Sequence, residues 1–175
     1  MLAANSKLYT ESICIGADGF CFTRPDGSRT IAVRSPYKAV PCVSDSVTDR
    51  ETAESIFPSV EELEVRTDHI RSLRTDIIFG ISRELADTLR VNYPDAEVHS
   101  HICSFLTEQF DKGTVVAVWQ GEEYGFDIFA VRDGRLQLLN VIRMNEPYQI
   151  SYYILKVWKE VGFKAGENEI RLYGF

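Results

Sequence analysis

GTVVAVWQGEEYGFDIFAVRDGRLQLLNVIRMNEPYQISYYILKVWKEVGFKAGENEIRLYGF, running from Gly113 to Phe175, is the stretch whose reading decides the fold. Thr114 to Trp119 is β-branched and apolar, the composition of a central strand. Gly121 to Gly125 turns the chain, and Phe126 to Arg132 predicts a second strand. Asp133-Gly134 is a two-residue hairpin turn of the kind that takes positive φ at both positions. Arg135 to Met144 returns as a third strand. Asn145 is placed to cap a helix, with Pro147 in its first turn, where a missing N–H does no harm. Ile150, Ile154, Val157, Trp158 and Val161 recur on one face at helical spacing. Gly162 stops that helix, and Ile170 to Tyr173 closes the segment. The pattern is a three-stranded antiparallel meander, one amphipathic helix and one more strand.

The N-terminal part repeats that order without a residue-level repeat. Leu8 to Ile15 reads as a strand, and the turn after it ends in Asp18-Gly19, a hairpin signal. Phe20 to Arg24 and Thr30 to Arg34 read as two further strands, separated by the turn Pro25 to Ser28. Ser35 to Asp45 carries Pro36 and Pro41 and reads as irregular or as an edge. Asp49 to Phe57 favours a helix, stopped by Pro58, and Val60 to Val65 a short strand. Thr75 to Ile81 is apolar enough for a buried strand. Ser82 is an N-cap for a helix to about Val91, with Leu85 and Leu89 facing inward. Val98 belongs to a short strand, and Ser100 is placed to cap a helix through Phe110 that buries Ile102, Phe105 and Leu106. The fold class expected is α/β, with mixed sheets and flanking helices. Two βββαβ-type halves, 1–110 and 111–175, are laid out as in ribonuclease-H-like and actin-like folds.

Size and charge narrow the function. A chain of 175 residues makes one domain, or two small units sharing a core. Its 45% hydrophobic and 26% charged residues are ordinary for a soluble globular protein. A net charge of -7 repels phosphate backbones, and Lys and Arg are scattered, so general nucleic-acid binding is disfavoured. No apolar run is long enough to cross a bilayer. Met1 to Lys7 has neither the basic start nor the apolar core of a secretory signal, so a cytoplasmic location is expected. Cys14, Cys21, Cys42 and Cys103 contain no CxxC pair, and read as small buried hydrophobes in a reducing cytosol.

The runs GADGFCF (16–22), NYPDAEVHSH (92–101), FDIFAVRDGRLQLLNVIRMNEPYQISYYILKVWKEVGF (126–163) and EIRLYGF (169–175) resemble an uncharacterised bacterial family. That family is a domain of unknown function with an actin-like ATPase fold. The likeness is strongest over 126–174 and also covers 15–22 and 92–110. Between Arg34 and Asp76 the chain looks shortened, and family members continue past Gly174 with further helices. The matched motifs carry fold: a hairpin turn, a strand ending in Leu139-Asn140, and a helix with Tyr152-Tyr153.

The resemblance implies two phosphate-cradling hairpins if ATP with magnesium is bound. The first hairpin offers Asp18 and Gly19 as cofactor-binding residues. The second, Gln120 to Gly125, has no Asp and places Glu122 and Glu123 where a polyphosphate would sit, which is electrostatically unfavourable. A two-metal nuclease would need converging carboxylates, for which Glu11 and Asp127 are the candidates, and a basic groove. His99 and His101 alternate on one short strand and share a face, with Cys103 nearby. Such a spacing permits a metal, but a partly exposed strand end is the commoner explanation, so no metal is expected. No GxSxG elbow, P-loop or GxGxxG occurs, and no catalytic residue is assigned. Tyr148 and Tyr152 lie one turn apart and are candidates for contact with a protein partner. A non-catalytic scaffold or interaction module is therefore expected, with a nucleotide-binding protein using Asp18 as the alternative. Homodimerisation is one way to cover an open sheet edge.

Overall fold

The computed structural model describes residues 11–14, 19–23, 29–33, 40–43, 57, 62–121, 125–143 and 148–174. The chain divides into two compact units, Met1–Asp68 with Ile77–Phe105, and His69–Asp76 with Leu106–Phe175.

The first unit contains β1 (Glu11–Cys14), β2 (Gly19–Thr23) and β3 (Arg29–Val33), an antiparallel meander in which Cys14 pairs with Phe20 and Cys21 with Ile31. β4 (Val40–Val43) belongs to a second sheet, of order β4-β6-β5, with β5 (Leu63–Ile70) and β6 (Thr75–Ser82). β6 is buried at every position but Ser82, as its nearly continuous apolar run requires. Ser82 ends the strand and caps α1 (Arg83–Asn92), its hydroxyl accepting from the Leu85 amide at 3.2 Å. α1 buries Ala86 and Leu89, while Leu85 is only half-buried. β7 (Ala96–Ser100) then lies parallel to β3, with Ile31 beside Val98 and Ala32 beside His99.

Next comes a single turn of helix, α2 (Cys103–Leu106), where a helix from Ser100 to Phe110 was expected. The residues beyond it belong to the second unit and are drawn into other contacts. Tyr173 donates to Glu108 at 2.6 Å, and Arg171 donates to Glu108 and to the Gln109 carbonyl, both at 3.1 Å. Phe110 meets Phe129 edge-on at 6.1 Å. These long-range bonds outweigh the modest gain from about one more helical turn. Burial, and then the bond to Glu108, push the Tyr173 phenol up to about 12.

In the second unit β8 (Thr114–Gly121), β9 (Gly125–Arg132) and β10 (Arg135–Ile142) form the expected meander. Asp133 (φ 53°) and Gly134 (φ 66°) make the mirror-image turn that the Asp-Gly pair specifies. α3 (Gln149–Glu160) packs Ile154 and Val157 over Val115, Ala117, Phe126, Ile128 and Ala130, with Phe163 closing the cluster. Tyr148 occupies the N-cap position with no side-chain cap. Gly162 (φ 70°) ends the helix as its position predicted. β11 (Glu169–Tyr173) lies parallel to β8, giving the sheet order β10-β9-β8-β11.

Each four-stranded sheet is thus an antiparallel meander with a fourth strand added in parallel after a crossover, the only way parallel neighbours can be joined. They differ in where that strand goes. In the second unit it joins the first strand of the meander, in the first unit the third strand. The helix expected from Asp49 to Phe57 lies outside the described residues except for the buried Phe57, as do the caps Asn145 and Pro147 and the residues Asp18, Glu122 and Glu123.

Candidate functional site

Two groups of side chains stand apart from the ordinary packing, one in each unit.

The first is built on β5, β7 and the start of α2. Asp68 lies near the end of β5, where its carboxylate is only 3% exposed. A buried carboxylate needs partners, and both of its oxygens have them. Oδ2 accepts from the Ser100 amide at 2.8 Å, and Oδ1 faces His99 Nδ1 at 2.7 Å. β7 supplies both groups from adjacent residues, the backbone amide of the buried Ser100 and the half-buried His99 ring. The Cys103 thiol, half-buried, completes a set of three donor atoms within 4.8 Å of one another. On the outer side His99 Nε2 is 3.6 Å from Glu97.

The bond to Asp68, and next the bond to Cys103, push the His99 imidazolium up to about 10 against the opposing effect of burial. His99 therefore carries its proton at neutral pH, and Nδ1 donates to Asp68. Because the folded value lies above the ordinary 6.5, the stabilisation is complete below about pH 6.5 and is lost as pH rises toward 10. In chelator-treated protein the His99 ring resonances should keep their imidazolium positions through about pH 8 and move only near pH 10. A midpoint near 6.5 would contradict the pairing.

This arrangement changes the sequence reading of the histidines. His101 was expected to share a strand face with His99, but β7 ends at Ser100 and the His101 amide already donates to Val33, at 2.9 Å. The group beside His99 is instead Asp68, 31 residues earlier. The heptapeptide around it (EVRTDHI, 64–70) offers only a strand alternation that puts Glu64 and Asp68 on the same face, a signal too common to single out.

The second group is the outer face of α3. Tyr148, Tyr152 and Leu155 are 74%, 62% and 62% exposed. At 100° per residue they form one stripe opposite the buried Ile154 and Val157. The Tyr152 ring rests edge-on against Tyr153 at 5.2 Å, and Tyr153 in turn packs on Phe126. Behind the helix a cavity of about 320 Å³ opens between α3 and β10, lined by Leu138, Asn140, Arg143, Tyr153, Lys156 and Glu160 among others.

Of the other candidates, Gly19 is the first residue of β2, paired with Val33, and Asp18 lies outside the described residues. Glu11 falls on β1 in the first unit. Asp127 is buried on β9 in the second, 2% exposed, and accepts from Gln120 at 2.9 Å.

The architecture is that of the actin-like ATPase fold. A crystal structure from Bacteroides thetaiotaomicron VPI-5482, described as a protein with actin-like ATPase fold and unknown function, superimposes with a TM-score of 0.70. The match covers 100% of this chain and 86% of that one, at 20% identity, a level that speaks for fold alone. The chain belongs to the family described as Protein of unknown function (DUF3822), whose model matches residues 43–175. No curated protein matches it. No helix among the described residues is long and apolar enough to cross a membrane.

Proposed function

We propose that this protein is a non-catalytic scaffold or interaction module on a degenerate actin-like fold, docking a protein partner through the outer face of α3. The observation that carries the reading is the stripe of Tyr148, Tyr152 and Leu155, three large side chains left 62–74% exposed on one face of a helix. Tyrosines in such a setting bury wide area on binding while losing little side-chain entropy, and they dominate many interfaces. The inner face of α3 is held by the core beneath it, so the helix that carries the stripe is formed before any partner arrives. A reducing cytoplasm is the compartment this reading assigns.

The test pairs an interaction assay with a nucleotide titration. Light scattering of the wild type should show self-association, the first occupant to examine, that Tyr148→Ser with Tyr152→Ser weakens by about 10-fold or more without lowering the melting temperature. A monomer whose affinity-purified partners also survive that double substitution would defeat the docking face. The competing reading holds ATP with magnesium on the Asp18–Gly19 hairpin. Saturable binding of magnesium-ATP that Asp18→Ala abolishes would favour it over the scaffold.

A further inference from the structure

We propose that Asp68, His99 and Cys103 form a binding site for a borderline-soft divalent ion of the zinc class. A carboxylate oxygen, a ring nitrogen and a thiol sulfur already lie within 4.8 Å of one another, brought together from β5, β7 and the first residue of α2. One member is fixed in advance: Asp68 is buried, and the Ser100 amide holds its Oδ2 at 2.8 Å, which leaves Oδ1 aimed at the His99 ring. The parallel pairing of β7 with β3 sets the height of His99 in the sheet.

The donor set selects the ion. Magnesium and calcium take all-oxygen shells, whereas one thiolate, one imidazole and one carboxylate suit zinc. Their charges sum to cancel a divalent cation, so the loaded site is neutral, as a half-buried position favours. Zinc would take the place of the proton between His99 Nδ1 and Asp68 Oδ1. With bonds of about 2.0–2.1 Å and tetrahedral angles, those atoms move from 2.7 Å to about 3.3 Å apart, within the reach of small side-chain rotations. Cys103 closes from inside the 4.8 Å envelope by a similar rotation. A metal takes the imidazole and the thiolate in their deprotonated forms, so binding weakens as pH falls. Three protein ligands leave the fourth position to water or to a ligand from outside.

Cobalt(II) is the probe, added to chelator-treated protein carrying no affinity tag. One equivalent should produce a thiolate-to-cobalt charge-transfer band and visible tetrahedral bands, both bleached by zinc. Cys103→Ser should remove the charge-transfer band, and His99→Ala should weaken zinc binding by about 100-fold or more, while Cys42→Ser leaves both unchanged. A second measurement uses only the wild type and so does not depend on a variant folding. One equivalent of zinc should slow carboxamidomethylation of Cys103, read by peptide mass spectrometry, by at least about 10-fold. Absence of the band at saturating cobalt, a band that survives Cys103→Ser, or an alkylation rate indifferent to zinc would each overturn the site.

Discussion

Gly125→Ala should lower stability by roughly 3–4 kcal/mol, a drop in melting temperature of about 6–16 °C for a chain of this size. Gly125 opens β9 with φ 76°, a conformation costly for any residue with a Cβ. Strain of that kind contributes about 1 kcal/mol or more. The larger share is steric. A Cβ there would lie 2.0 Å from the Ile142 carbonyl oxygen and 2.9 Å from the Arg143 Cα, both backbone atoms that cannot rotate away. The end of β10 would have to shift, which disturbs its ladder with β9, where Ile142 faces Phe126, itself in the middle of the α3 core. Gly121, across the same turn, separates the two effects. Its φ is 102° and nothing lies within 4 Å of its would-be Cβ. Gly121→Ala should therefore cost about 1–2 kcal/mol, the conformational part alone. Urea unfolding of both variants checks the contrast, and equal losses would refute the close approach of β10.

Replacing Asp68 by Ala should destabilise the chelator-treated protein by about 3 kcal/mol, the range for removing one partner of a buried charged pair. Two groups lose their acceptor at once, the buried Ser100 amide and the His99 ring. Asp68→Asn keeps an oxygen for the amide but gives up the charge, so about half the loss is expected. The His99 imidazolium loses its largest support in either variant, and its titration should fall toward the ordinary 6.5. An Asp68→Ala protein within about 0.5 kcal/mol of wild type by urea unfolding would show that the pair contributes little.

The second unit was largely legible because its signals are local. Alternation, a β-branched run, an Asp-Gly turn and a helical stripe each lie within about 15 residues and agree with one another, so β8 to β11 and α3 could be read in order. Tyr148 and Tyr152 were placed on the surface by the same periodicity that put Ile154 and Val157 beneath it. The first unit was harder. β5 was expected to end at Val65 and instead runs to Ile70, since Arg66, Asp68 and His69 mask a strand whose neighbour β6 does the pairing. The helix expected from Ser100 stops at Leu106, because Glu108 and Phe110 are claimed by Arg171, Tyr173 and Phe129.

What the sequence determined by itself is the succession of β8 to β11 with α3 and the sidedness of that helix, since side-chain spacing answers to the fixed periods of helix and strand. It also showed the acidic balance, a formal net charge of -7. Only the tertiary structure decided which strand receives the fourth one in each unit, first or third, because pairing across a crossover leaves no local mark. It alone placed Asp68 beside His99 and Cys103. That meeting depends on a carboxylate finding the amide of Ser100 across 32 residues of chain, an interaction whose energy comes from burial and not from neighbours in sequence.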